Sequence, residues 1–249
     1  MTIRSIAIAL AFVVAGCGGG GDSAAPPPPA SPPPPASPAQ GFWVGTTSNG
    51  YDTLGAVLEN GEYWFMYYAG NVIYGVVQGT GSASNGNFTS TDGLDFWASG
   101  YVVPVTVSGS YRERVSLQGV VTPRAGGSAV SFATAYDARY DSSATLAAAA
   151  GTWRGVLRSG ESFRIDVAAD GSLTGAGSSG CTFAGAVVPR PSGKAVYNLT
   201  VRFNGGVCLL GTQTINGIAA IVGAGASAVL YAAALNGARS AGFVVIGTR

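Results

Sequence analysis

The chain has 249 residues, of which 47% are hydrophobic and only 10% charged, with 39 glycines and no histidine. Much of the apolar fraction is alanine and valine, which among so many glycines suits thin strands and tight turns, and the length allows one large all-β domain or two of about 100 residues each. A formal net charge of +1 without a basic arm or stripe excludes the footprint of a nucleic-acid binder, and the lack of histidine removes the usual general base of serine and cysteine nucleophiles, whose G-x-S-x-G elbow is also missing.

The first element, MTIRSIAIALAFVVAGC, is basic at Arg4, apolar from Ile6 to Val14, small at Ala15 and Gly16, and ends on Cys17. Residues 1–16 read as a secretory signal too short to span a bilayer. The ending VAGC resembles the lipobox of bacterial lipoproteins, in which the signal peptidase cuts before the cysteine. That resemblance implies that Cys17 carries a diacylglycerol, usually beside an acylated N-terminus, which together anchor stably. Gly18 follows in place of aspartate, which by the sorting rule of that family implies delivery to the outer membrane of a Gram-negative bacterium. Residues 17–40 continue as a Gly- and Pro-rich stretch holding nine of the 13 prolines. It reads as a tether that reaches about 70 Å when fully extended.

From Gly41 onward short alternating runs are separated by turn residues, the pattern of half-buried antiparallel strands. The run GEYWFMYYAG, residues 61–70, places Tyr63, Phe65 and Tyr67 on one face and Glu62, Trp64, Met66 and Tyr68 on the other, so both faces are largely aromatic. One face serves a barrel core; the other must cover a second core, a neighbouring half or a ligand, which makes Glu62, Trp64, Met66 and Tyr68 a candidate binding surface. Glu113, in SYRERVSLQG, shares strand parity with Tyr111, Val115 and Leu117 and joins that candidate surface. Either a bulge breaks the parity and exposes it, or an inward carboxylate awaits a ligand or an arginine. Asp92 and Asp95 lie near Trp97 in TDGLDFW, and Asp137 and Asp141 among tyrosines in AYDARYD. Carbohydrate hydrolases combine acids and aromatics in this way, yet short Asp-containing turns ordinarily do turn chemistry.

The stretch SSATLAAAA, residues 142–150, predicts a short helix with serine as cap and Gly151 as stop, dividing a first β domain, 41–141, from a second, 151–249. Across that divide GFWVG at Gly41 is echoed by GTWRG at Gly151. The G-x-W element entering a first strand resembles lipocalin-like and avidin-like barrels, which implies that Trp43 and Trp153 each close one barrel end. The downstream motifs of true lipocalins are missing, so ligand binding does not carry over from this resemblance.

In the second half, Phe163, Ile165 and Val167 alternate with polar residues, as do Tyr197, Leu199, Val201 and Phe203, and a hairpin is expected through Asn236-Gly237. GAGSSG, residues 175–180, matches G-x-G-x-x-G, but a strand-like run follows and no acid lies about 20 positions on, so it reads as a loop and not a dinucleotide site. Lys194, the sole lysine, stands beside a Pro-Ser-Gly turn. With Cys17 lipidated, Cys181 and Cys208 are left as a pair in an oxidising compartment and predict a disulfide. A metal site lacks ligands, with no histidine and no C-x-x-C.

The expected fold class is all-β: an antiparallel meander making two tandem small barrel-like halves of six to eight strands, joined by the short helix, because closure removes exposed edges. An integral outer-membrane barrel would need strands of about 9 to 11 residues with a continuous lipid-facing apolar row, which runs such as NLTVRF do not supply. Residues 41–150 hold eight acids and four bases, residues 151–249 three acids and eight bases. This imbalance either holds the halves together, gives each a different partner, or is drift on a solvated surface. The functional expectation is a membrane-anchored envelope lipoprotein acting as a non-enzymatic binding or adhesion module, with the membrane and an unidentified ligand or protein as partners and no call for a cofactor. Its layout resembles that of surface lipoproteins of the transferrin-binding and factor-H-binding kinds, in which a tether presents barrel domains. A periplasm-facing structural or inhibitor protein and a carbohydrate-active enzyme are the alternatives.

Overall fold

A computed structural model describes residues 36–70 and 72–249, which belong to one compact unit. Arg4, Cys17 and the signal, as well as most of the tether, lie outside the described residues. Residues 36–40 are already part of the fold: the Ser37 amide donates to the Glu59 carbonyl, and Ala39 is fully buried.

The first half is a meander of β1 (Gly41–Thr47), β2 (Asp52–Val57), β3 (Glu62–Ala69), β4 (Val72–Thr80), β5 (Ser82–Ser84), β6 (Asn87–Trp97), β7 (Val102–Arg112), β8 (Ser116–Pro123) and β9 (Val130–Asp137). Antiparallel pairing of β1 with β9 and of β4 with β6 closes eight of these strands into a barrel, and the short β5 extends the edge of β6 beyond Gly81. The second half is a closed antiparallel barrel of β10 (Gly151–Val156), β11 (Ser162–Val167), β12 (Ser172–Gly177), β13 (Thr182–Pro189), β14 (Tyr197–Phe203), β15 (Thr214–Val222), β16 (Val229–Asn236) and β17 (Gly242–Thr248). The chain is thus all-β, with two eight-stranded barrels in tandem.

Between them the predicted helix is cut down. A 3-10 turn, Ala138–Asp141, is followed by a single helical turn, α1 (Leu146–Ala149), capped by Thr145 and not by a serine. Residues 142–145 are held extended by hydrogen bonds to the second barrel: the Ala144 amide donates to the Lys194 carbonyl, and the Tyr197 hydroxyl bonds both backbone groups of Thr145. Tertiary bonds there outweigh the helix propensity of the alanines. The expected Asn236-Gly237 hairpin forms with a longer loop, 237–241, in which the Asn236 side chain accepts from the Ser240 and Ala241 amides and Arg239 adopts φ 51°. GAGSSG begins as the end of β12 and only then turns.

The G-x-W echo is structural. Trp43 and Trp153 are both fully buried, and the indole N–H of each donates to the carbonyl four residues back, that of Ala39 at 3.0 Å and that of Ala149 at 2.9 Å. The two barrels lie side by side. Phe42, Ala56, Trp64 and Val76 on the outer wall of the first pack against Ile218, Ala233 and Leu235 on the outer wall of the second. Strands in this contact have lost the alternation that marks a solvated outer face: β16 is buried on both sides, whereas β14 alternates strictly. Three ion pairs cross the seam, Glu59–Arg190 at 2.6 Å, Asp141–Lys194 at 3.0 Å and Asp92–Arg239 at 3.4 Å, each with its acid in the first half and its base in the second. The charge imbalance between the halves has this structural use. Cys181 and Cys208 are disulfide-bonded and tie the β12–β13 turn to the loop after β14. Among the described residues no helix is long and apolar enough to cross a membrane.

Candidate functional site: a hollow first barrel

Both barrels are lined by alternating inward residues, but they are filled differently. In the second, Trp153, Phe163, Ile165, Leu173, Tyr197, Leu199 and Val201 interdigitate across the axis and leave about 20 Å³. In the first, the Trp43 end is packed with Phe88, Tyr111 and Leu117, while the other end opens into a cavity of about 370 Å³. That volume lies in the range of small-molecule sites.

The cavity is built by the face of β3 that alternation assigns to the core. Tyr63, Phe65 and Tyr67 all line it, joined by Phe88 from β6 and Phe132 from β9. These rings fit because glycines stand across from them: a Cβ on Gly55 would lie 2.2 Å from the Phe65 ring, and one on Gly75 2.1 Å from the Tyr67 hydroxyl. Tyr63 sits deep, its hydroxyl donating to Ser90 Oγ at 3.0 Å; burial pushes its phenol up to about 12 against the pull of that bond, so it stays neutral.

Toward the mouth the lining turns aromatic and polar together. Tyr51 packs on Tyr74 with ring centroids 4.6 Å apart, and on Tyr67 at 5.7 Å. The Asp95 carboxylate faces in from β6 and accepts at both oxygens, from the Tyr67 hydroxyl at 2.9 Å and from the Trp97 indole N–H at 2.8 Å. Burial raises the Asp95 pKa even though both bonds favour the charged form; burial and the charge of Asp95 hold the Tyr67 phenol far above its usual range. Trp97 is 47% exposed on the lip, edge-on to the still more exposed Tyr101. The other charged residue of the lining, Arg158, comes from the β10–β11 turn of the second barrel and lays its guanidinium over Tyr74, 4.4 Å from the ring centroid.

The residues singled out from the sequence fall elsewhere. Trp64 and Met66 are 5% and 6% exposed, buried against the second barrel, and the Glu62 carboxylate accepts from the Trp64 indole N–H at 2.8 Å; this face is interbarrel packing and not an open surface. Tyr68, further along the same face, is only partly buried. Glu113 is exposed, because β7 ends at Arg112 and the turn to β8 begins there, which breaks the parity that pointed it inward. Asp92 and Asp95 do separate work: a bulge in β6 between Ser90 and Gly93 turns Asp92 out to the Thr80 amide, the Ser90 hydroxyl and Arg239. Asp137 caps the 3-10 turn, and Asp141 takes Arg114, Lys194 and Tyr136. Among the described residues no cluster of three or more potential ligands could hold a metal.

Sequence reasoning missed Asp95 as a cavity residue and Arg158 altogether. Alternation puts Tyr63, Phe65 and Tyr67 together on one face, but how full the barrel is depends on all its strands at once. No protein-family model, curated protein or solved structure matches this chain.

Proposed function

We propose that the protein is a lipid-anchored binding protein of the bacterial envelope in which the first barrel is a cup for a small molecule with an apolar body and the second is a solid support. The observation that carries the binding reading is the contrast in filling: two barrels of the same strand count stand side by side, and one keeps about 370 Å³ open where the other keeps about 20 Å³. A protein interior packs to high density unless something else is meant to occupy it. The anchor reading rests on the lipobox resemblance at Cys17.

Titration with the neutral fluorophore N-phenyl-1-naphthylamine tests the cup. Saturable uptake is expected, together with its loss in Val121→Trp, which fills the cavity from β8, provided that variant still melts cooperatively. Absence of saturable uptake in the unaltered protein would overturn the reading. Protease shaving of intact cells, read by immunoblot against a periplasmic control, reports which side of the outer membrane the barrels face.

A further inference from the structure

The cup holds one carboxylate of its own and many rings. Among the described residues Asp95 is in no ion pair; its two oxygens are satisfied only by the neutral donors Tyr67 and Trp97, and each oxygen keeps further acceptor capacity. A carboxylate largely withdrawn from water with no cation beside it is costly unless it is protonated or a cation arrives. Around it stand the electron-rich rings of Tyr51, Tyr67, Tyr74 and Trp97, whose faces attract positive charge. The rim already shows this: Arg158, exposed and reaching over from the other barrel, has its guanidinium seated on Tyr74. An anionic ligand would have to bring a second negative charge into the space that Asp95 lines.

Resting on the cup reading, we propose that the ligand is an organic cation, a protonated amine or quaternary ammonium on an apolar or aromatic body, with its charged head held between Asp95 and the tyrosine rings and its body in the Phe65–Phe132 end of the cavity. Arg158 is then a resident cation at the rim that the ligand head displaces.

The test compares three probes of matched shape on the purified protein by tryptophan fluorescence and calorimetry: benzyltrimethylammonium, its uncharged carbon isostere neopentylbenzene, and the anion 3-phenylpropionate. The cation is expected to bind about tenfold or more tightly than the isostere, and Asp95→Asn to erase that preference. Arg158→Ala is expected to tighten the cation, by removing its competitor. Equal or tighter binding of the isostere or the anion overturns the cation assignment and leaves the cup standing. Entry of none of the three, with N-phenyl-1-naphthylamine also excluded, overturns both. The comparison on the unaltered protein stands even if Asp95→Asn folds poorly.

Discussion

Tyr67 reaches Asp95 with its hydroxyl only because Gly75, across the ladder on β4, offers no side chain where that hydroxyl lies. Gly75→Val should push the ring aside, lower the melting temperature by an amount equivalent to about 1 to 3 kcal/mol, and weaken uptake of N-phenyl-1-naphthylamine. Asp95 gives a prediction of opposite sign. Its folded pKa is raised above the unfolded value, so the native state binds more protons in that window and the ionised group costs stability as pH rises through it. The melting temperature of the empty Asp95→Asn protein, which does not titrate there and gives up one of the two accepted bonds, should therefore rise relative to that of the parent as pH goes from 3 to 7; thermal scans of both across that range check it. That Tyr63, Phe65 and Tyr67 share one face was legible from period-2 spacing alone. Which face lines the cavity was not, because Trp64 and Met66 look no different in sequence from the lining residues until the second barrel is placed against them.

At the scale of elements, the two indole plugs and the disulfide do the closing. Trp43 and Trp153 each stitch the segment before a barrel's first strand to the barrel floor, and the Arg249 guanidinium adds a cover 4.6 Å above the Trp153 ring while donating to the Ala148 and Ala150 carbonyls. The glycine-tryptophan echo between the halves was readable because such a plug needs the same residues in the same order. The linking helix was over-read from its alanines, since propensity carries no information on the bonds that Tyr197 and Lys194 offer to residues 144 and 145. The Cys181–Cys208 bond spans 27 positions, so the double variant Cys181→Ser, Cys208→Ser should lower unfolding stability by about 3 to 4 kcal/mol in the chain-entropy account, measured as a shift in urea midpoint. The cup should survive that change, because the bond braces only the solid barrel.

For the whole molecule, the seam couples a solid body to a hollow one. Arg239 donates to Gln78 Oε1 at 2.8 Å and to the Gln78 and Asp92 carbonyls, so the β16–β17 loop grips the wall of the cup at β4 and β6. The acids of two seam pairs titrate low: Asp141 through its bonds from Arg114, Lys194 and Tyr136, and Asp92, despite burial, through the Thr80 amide, the Ser90 hydroxyl and Arg239. Carboxylates with depressed folded pKa values contribute stability above the unfolded value and lose it as pH falls through the folded one. The share of stability these two pairs supply should accordingly begin to weaken below the ordinary carboxylate value of about 4 and fall further toward the lower folded values, read as a drop in melting temperature in acid while the apolar seam still joins the barrels. Arg239→Ala together with Lys194→Ala should lower the melting temperature modestly at neutral pH and flatten that acid-side drop. The direction of the chain through the first barrel has its own consequence. Residues 36–40 enter at the sealed Trp43 end, whereas the mouth is framed by Tyr51 and Trp97 at the other end of the first barrel and by Arg158 reaching over from the second. Whatever grips the N-terminal side of the molecule therefore has its back to the doorway and leaves it clear. A sensor chip carrying the protein by its N-terminus should retain full capacity, while one carrying it through the β6–β7 lip should be blind.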